Sequence, residues 1–267
     1  MLPPDLQALA EAALSTTSAF RLDGQTALVV GGGGGLGQGM ALALAAAGAN
    51  VCIAGLGDGA DLTLSALECI GANAQSHILD ATNEDAVERL IDTVVHNYGR
   101  LDVLVNSQGC TKLGPATEYS VDDWSSIIDV NLKSVFICCK HAGKHMLANK
   151  SGRVINISSV RGFQGREEDP AYSVSKGGIN QLTRSLAIEW GKCGVNVNAL
   201  APVFTRTSLS SDYLDNPSNL NWVCSRIPLG RPAERSDLFG PLLFLASSAS
   251  RFVNGHILPV DGGWLAA

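Results

Sequence analysis

Five consecutive glycines, residues 31–35, follow the apolar run 27–30 and lead into small residues that reach Gly48. Few folds use that order. An apolar strand that ends in glycines and opens a helix points backbone N–H groups outward. With no Cβ in the way, a pyrophosphate settles at the helix N-terminus. The glycine run leaves two frames open, Gly31-x-x-x-Gly35-x-Gly37 and Gly33-x-x-x-Gly37-x-Gly39. The first is preferred, because Leu36 then anchors the helix start in the core. Glycines also serve tight turns, so the flanking strand and helix patterns carry the reading.

A second apolar run starts at Val51 and ends at Gly55-Leu56. A dinucleotide site ordinarily has an acid there, about 20 residues past the glycines, for the ribose 2′-OH. Neither residue does that, and Asp58 and Asp61 are the acids within reach. No Lys or Arg occurs between Arg21 and Arg89, whereas a 2′-phosphate calls for a guanidinium nearby. NAD is therefore expected over NADP, unless a basic side chain arrives from a distant segment or another subunit.

Short runs rich in β-branched residues predict strands at 27–30, 51–55, 75–79, 103–106, 153–157, 195–200 and 256–260. They read as strands buried on both faces. Helices are expected at 36–47, 60–70, 83–97, 121–148, 170–191 and 234–247, with Asn83 capping the third and Gly48 ending the first. Strand and helix alternate throughout. That predicts an α/β fold, a single-domain doubly wound (Rossmann-type) seven-stranded parallel sheet with helices on both faces, over residues 21–267. Residues 1–20 read as an amphipathic helical extension, with Leu6, Leu9, Ala13 and Leu14 at helical spacing, packing on the body or on another subunit. The extension has no basic n-region and carries Asp5 and Glu11, unlike a secretory signal. Residues 203–230 lack periodicity and read as a flap over a site.

Charge excludes some classes. The net charge of −6 argues against a nucleic-acid binder. No uninterrupted apolar stretch is long enough to predict a membrane span. The seven cysteines are odd in number, form no C-x-x-C pair and sit mostly in apolar runs. They read as free buried thiols in a reducing cytoplasm rather than as disulfides or a zinc site.

The chemistry concentrates between residues 154 and 190. Tyr172 and Lys176 are four apart at a helix start and so share a face. A phenol with an ordinary pKa of about 10 is a weak acid and base at neutral pH, and a nearby cation favours its phenolate. Ser159 ends a strand on the same, C-terminal sheet edge, where ligands bind in such sheets. A Tyr and a Lys at this spacing are more often a packing tyrosine and a solvated lysine. Their weight comes from combination with the glycine loop.

The motifs together resemble the short-chain dehydrogenase/reductase family over residues 22–265. "YSVSK" resembles its Tyr-x-x-x-Lys pair, "NISS" sets Ser159 thirteen residues before Tyr172, and "DVNLKSVF" resembles the segment with its Asn, here Asn131. The resemblance implies that Tyr172 is the general acid/base and that Ser159 orients substrate. Lys176 would tune Tyr172 and bind the nicotinamide ribose, while Asn131 would hold a water that links Lys176 to solvent. It further implies cofactor contacts from Gly31, Gly35, Leu36, Gly37, Asp80 and Ala81 in "LDAT", Asn106 and Gly109 in "VNSQG", and Thr207 in "APVFTRT". Three positions depart from the family pattern: Val30 for Thr, Ser107-Gln108 for Asn-Ala, and Val203 for Gly.

The C-terminal third and "FQG" at 163–165 resemble sugar-acid members, which implies a sugar acid or polyol as substrate and a homotetramer with 121–148 and 170–191 at an interface. Arg161, Arg166 and Arg206 lie on loops expected near the site, where a guanidinium grips a carboxylate or else pairs with Glu167, Glu168 and Asp169. His141 and His145, four apart, read as an interface face rather than a metal pair, for want of a third ligand. Two alternatives stay open: a 3-oxoacyl reductase using NADPH, which the missing basic residues disfavour, and a non-catalytic cofactor-binding scaffold.

Overall fold

The computed structural model describes residues 6–7 and 13–267. Seven parallel strands form one sheet in the order β3-β2-β1-β4-β5-β6-β7. They are β1 Thr26–Val30, β2 Asn50–Gly55, β3 Ala74–Ile78, β4 Val103–Asn106, β5 Gly152–Ile157, β6 Val195–Pro202 and β7 Ile257–Val260. The order reverses between β1 and β4, whose ends Val30 and Asn106 are in register. That reversal opens a crevice at the C-terminal edge, the usual ligand position in such sheets.

Side chains alternate across each strand, so β1 feeds two cores. Ala27 and Val29 join Val51 and Ile53 on one face, with Leu44 and Leu242 from the covering helices. Leu28 and Val30 join Cys52 and Ala54 on the other, with Val94, Met146 and Ile179. The first face is covered by α1 Gly35–Ala46, α2 Gly59–Cys69 and a later helix, Phe239–Ala246. The second is covered by α3 Glu84–Tyr98, then α4 Val121–Ile128 running on into α5 Ser134–Ala148, and α6 Pro170–Trp190. Asn83 caps α3 as expected, its Oδ1 accepting from the Ala86 N–H at 3.1 Å.

The structure departs from the sequence expectations at several elements. Strand β3 is not buried on both faces: it is the sheet edge, and its Ile78 is 83% exposed. The 121–148 helix is interrupted by a π-helical turn, Asp129–Lys133, between α4 and α5. Residues 203–230, read as an aperiodic flap, do border the cleft through Val203–Thr205, Thr207–Ser210 and Tyr213, but they contain two short helices, α7 Ser211–Leu214 and α8 Pro217–Arg226. Asn216 caps α8 and Pro217 occupies its first turn, so "NP" starts a helix here. The helix expected at 234–247 is a 3-10 turn, Arg235–Leu238, followed by α9, Phe239–Ala246.

His141 and His145 do not form an exposed face. They meet the carboxylates of α3, with His141 Nε2 3.1 Å from Glu84 and His145 Nε2 3.0 Å from Asp92. Leu9 of the N-terminal extension lies outside the described residues. The extension's end is tied to the body where Ser248 Oγ donates to the Ala19 carbonyl at 3.1 Å. No helix among the described residues is long and apolar enough to cross a membrane.

Candidate active site

The strand ends line one cleft of about 820 Å³. Its near wall is the β1–α1 turn. Gly31 has φ +81°, and a Cβ there would stand 2.6 Å from the Gln108 backbone nitrogen. At Gly37 a Cβ would fall on the Gly31 carbonyl oxygen. Helix α1 can therefore approach the turn only without side chains at these two positions. Gly34 and Gly35 line the cleft, and a Cβ on either would meet no protein atom within 4 Å. Leu36 also borders the cleft and packs against the core below. This is a cradle open to a phosphate, at a helix N-terminus with no acidic residue in its first turn.

The wall beyond the cradle is formed by Gly55, Leu56, Asp80, Ala81 and Thr82. Asp80 accepts from the Thr82 N–H at 2.9 Å and from its hydroxyl at 2.7 Å, which holds its carboxyl below the usual range. Gly109 lines the centre of the cleft, and Thr207 borders the side formed by the segment after β6. Asn106 does not line it, contrary to the expectation. Its side chain turns into the sheet and donates to Asn156 Oδ1 at 2.9 Å, bracing β4 to β5.

Asn131, Ser159, Tyr172 and Lys176 come together beneath Gly109. A Cβ on Gly109 would lie 3.4 Å from Asn131 Oδ1 and 3.8 Å from Lys176 Nζ. The π-turn directs Asn131 inward, where it is fully buried. Its Oδ1 accepts from the Cys110 N–H at 2.8 Å, and its Nδ2 donates to the Cys110 carbonyl at 2.9 Å and to Ser175 Oγ at 3.2 Å. Ser159, two residues past the end of β5, caps the 3-10 turn Val160–Gly162 and accepts from the Arg161 N–H at 3.1 Å.

Lys176 donates to the Ile157 carbonyl at 2.8 Å, and its Nζ stands 5.5 Å from the Tyr172 ring centroid. Burial pushes the Lys176 amine down to about 8. Burial also pushes the Tyr172 phenol up to about 12, outweighing Ser159 and Arg161, which pull it down. A nearby cation would lower Tyr172, as expected from the four-residue spacing. In this structure desolvation outweighs the downward pulls, and the amine is hydrogen-bonded to the strand end rather than to the phenol. The phenol therefore carries its proton at neutral pH.

At the other end, Arg161, Arg166, Asp169, Phe204 and Tyr213 line the cleft. Neither Arg161 nor Arg166 forms an ion pair among the described residues, with Glu167, Glu168, Asp169 or any other group. Arg206 does not line the cleft; its Nε lies 3.8 Å from Glu234. Sequence reasoning gave no site role to Asp169, Phe204 or Tyr213. The available signals were a carboxylate fixed by the following Pro170, three residues before Tyr172, and aromatics in a stretch read as loop.

A family model described as Enoyl-(Acyl carrier protein) reductase matches residues 31–265. A 2-dehydro-3-deoxy-D-gluconate 5-dehydrogenase of Escherichia coli is 40% identical, over 93% of this chain and 98% of its own. A gluconate 5-dehydrogenase of Gluconobacter oxydans is 34% identical, over 94% of this chain and 98% of its own. Among solved structures, a gluconate 5-dehydrogenase of Burkholderia cenocepacia in complex with NADP and tartrate is 35% identical. It superposes with a TM-score of 0.90, covering 94% of this chain and 98% of its own.

Proposed function

The chain belongs to the short-chain dehydrogenase/reductase family, a nicotinamide-dependent oxidoreductase acting on CH–OH groups, and from that premise we propose that it interconverts a sugar acid and its keto acid with NAD. The observation that carries this reading is the sharing of one cleft by the glycine cradle and the Ser159, Tyr172 and Lys176 side chains. The bound nicotinamide would supply or accept the hydride.

In this proposal the chain's residues move and hold protons and position the substrate. Tyr172, protonated at neutral pH, gives its proton to the substrate oxygen in reduction and takes it back in oxidation. Ser159 holds that oxygen beside the phenol. Lys176, anchored on the Ile157 carbonyl, keeps a cation next to the phenolate that forms. Asn131 fixes the Gly109–Cys110 backbone above Lys176. The cradle at Gly31, Gly35, Leu36 and Gly37, with Asp80, Ala81, Gly109 and Thr207, receives the dinucleotide. Asn106 supports it through the sheet.

The choice of NAD rests on charge. The basic residues lining the cleft are Arg161, Arg166 and Lys176, none of them beside Gly55-Leu56. A second hollow beside Leu56 is lined by Asp80, Asp122 and Asp129. A ribose 2′-phosphate would add nearly two negative charges to that acidic surface. The Burkholderia relative holds NADP, so the question is specific to this chain. Initial rates with NAD and NADP, read at the reduced-nicotinamide absorbance against D-gluconate, 2-keto-3-deoxygluconate and neutral polyols, test both parts. The expected result is turnover of a sugar acid with kcat/KM at least about tenfold higher for NAD, the scale of one charge interaction. A preference for NADP would overturn the charge argument, and silence with every sugar acid would overturn the substrate class.

The quaternary and cellular readings are proposals of the same standing. Val121, Phe136, Val174 and Ile188 on α4, α5 and α6 are 77%, 48%, 51% and 82% exposed, which supports a homotetramer built on these helices. All seven cysteines are unpaired, in keeping with a reducing cytoplasm.

A further inference from the structure

Two arginines at the substrate end of the cleft are held by aromatic faces instead of carboxylates. Arg161 is 9% exposed, and its guanidinium lies 5.4 Å from the Trp264 ring centroid and 5.9 Å from that of Phe204. Its Nη1 reaches only the Gly165 carbonyl, at 3.4 Å, and its Nη2 is buried with no hydrogen-bond partner. Arg166 lies against the same group, 4.9 Å from the Tyr213 centroid and 5.8 Å from that of Phe204. Stacked and T-shaped contacts join Phe204, Tyr213, Trp222 and Trp264, fixing α7 and α8 against this wall.

The electrostatics are unbalanced. The two guanidinium groups repel each other, and burial together with the Arg166 charge pulls Arg161 below its ordinary range. Asp169 is buried in the same wall but forms no ion pair there, with only a 3.5 Å contact to the Thr111 hydroxyl. Cation–π contacts offset part of the cost of holding two such cations close together. A carboxylate across the fork would offset more, through charge-assisted bonds that aromatic faces do not provide.

We propose that Arg166, backed by Arg161, receives the carboxylate of the substrate, so that this end of the cleft selects a hydroxy acid over the neutral polyol of equal length. The proposal rests on the sugar-acid reading and gives it a recognition site. Arg206, tied to Glu234 away from the cleft, takes no part. Asp169 is the resident negative charge with which an incoming carboxylate competes.

Calorimetric titration of the NADH-loaded protein, which cannot oxidise either ligand, with D-gluconate and with sorbitol, alongside turnover with NAD, is the test. Arg166→Gln is expected to raise the ratio of gluconate to sorbitol dissociation constants about 10–100-fold, the loss of bonds to a charged group. Arg166→Lys, which keeps the charge but not the fork, falls between. Asp169→Asn is expected to tighten gluconate several-fold, a gain that general damage to the fold would not produce. An unchanged ratio in Arg166→Gln overturns the proposal, as does wild-type protein that does not distinguish the two ligands. Arg166-dependent gluconate binding without turnover upholds the carboxylate site while sinking the sugar-acid oxidoreductase reading. Gluconate turnover with no Arg166 dependence does the reverse.

Discussion

Tyr172→Phe is expected to lower kcat about 10³-fold in both directions while leaving cofactor affinity and fold nearly unchanged. The variant removes one hydroxyl from a ring that otherwise stays in place, and general acid–base groups typically contribute 10²–10⁴-fold. Lys176 keeps its bond to the Ile157 carbonyl and Ser159 keeps that from the Arg161 N–H, because neither involves the phenol. Steady-state rates with cofactor titration by fluorescence check it. Retention of more than a tenth of the wild-type kcat would remove Tyr172 from proton transfer.

The same pair sets a pH dependence. With the phenol pushed up to about 12 and the amine down to about 8, the neutral-pH state carries a proton on both. Oxidation needs that pair to have lost one proton, so kcat/KM for the alcohol is expected to rise with pH at unit slope. The rise ends at or below about 8, not at 12. Phenolate with ammonium and phenol with amine contain the same number of protons, so their ratio no longer depends on pH once the first proton has left the pair. A positively charged nicotinamide nearby moves the break lower still. Reduction needs the fully protonated pair and, with the neutral reduced nicotinamide bound, is expected to fall above about 8. An oxidation profile still climbing at unit slope beyond pH 10 would mean that the amine stays charged there and that burial does not govern it.

Much of this was legible in the sequence because it depends on periodicity. Strands such as Val103–Asn106 and helices such as Pro170–Trp190 follow from apolar runs and from proline and glycine punctuation, which act locally. Tyr172 and Lys176 were legible as partners because a four-residue spacing fixes their common face. What escaped depends on contacts distant in sequence. Asn106 was expected in the cleft from the resemblance of "VNSQG" to the family motif, yet it turns inward because Asn156 on the adjoining strand offers an acceptor. The π-turn at Asp129–Lys133 replaces one continuous helix because Asn131 must meet both the N–H and the carbonyl of Cys110. The 203–230 segment looked structureless because its helices are short and bury aromatics against one another, giving a pattern too brief to read.

Gly31→Ala is expected to cost the protein both stability and cofactor, whereas Gly39→Ala, about one turn into the helix that follows, costs little. The contrast separates the two frames that the glycine run allows. At Gly31 the backbone has φ +81°, which an alanine adopts at about 1–2 kcal/mol. Its Cβ would also press on the Gln108 backbone, whose nitrogen lies 2.6 Å away and cannot rotate aside. Overpacking of that kind typically adds about 1–3 kcal/mol. At about 2–4 °C per kcal/mol for a domain near this size, the melting temperature should drop by roughly 4–20 °C. At Gly39 the nearest atoms are the Phe239 ring and Arg235 Cβ, 3.1 and 3.3 Å away, side chains able to shift by a few tenths of an ångström. Gly34→Ala supplies the third arm. Its backbone is extended and its Cβ would meet no protein within 4 Å, so stability should hold while the methyl group obstructs the cradle and cofactor affinity falls at least about tenfold, the loss of roughly one or two phosphate hydrogen bonds. Differential scanning fluorimetry with and without NAD reads all three. If Gly39→Ala proves the damaging substitution and Gly31→Ala the tolerated one, the phosphate cradle is framed on Gly33, Gly37 and Gly39, and the dinucleotide sits two residues, about half a turn, further along the chain than Gly34 and Gly35 would place it.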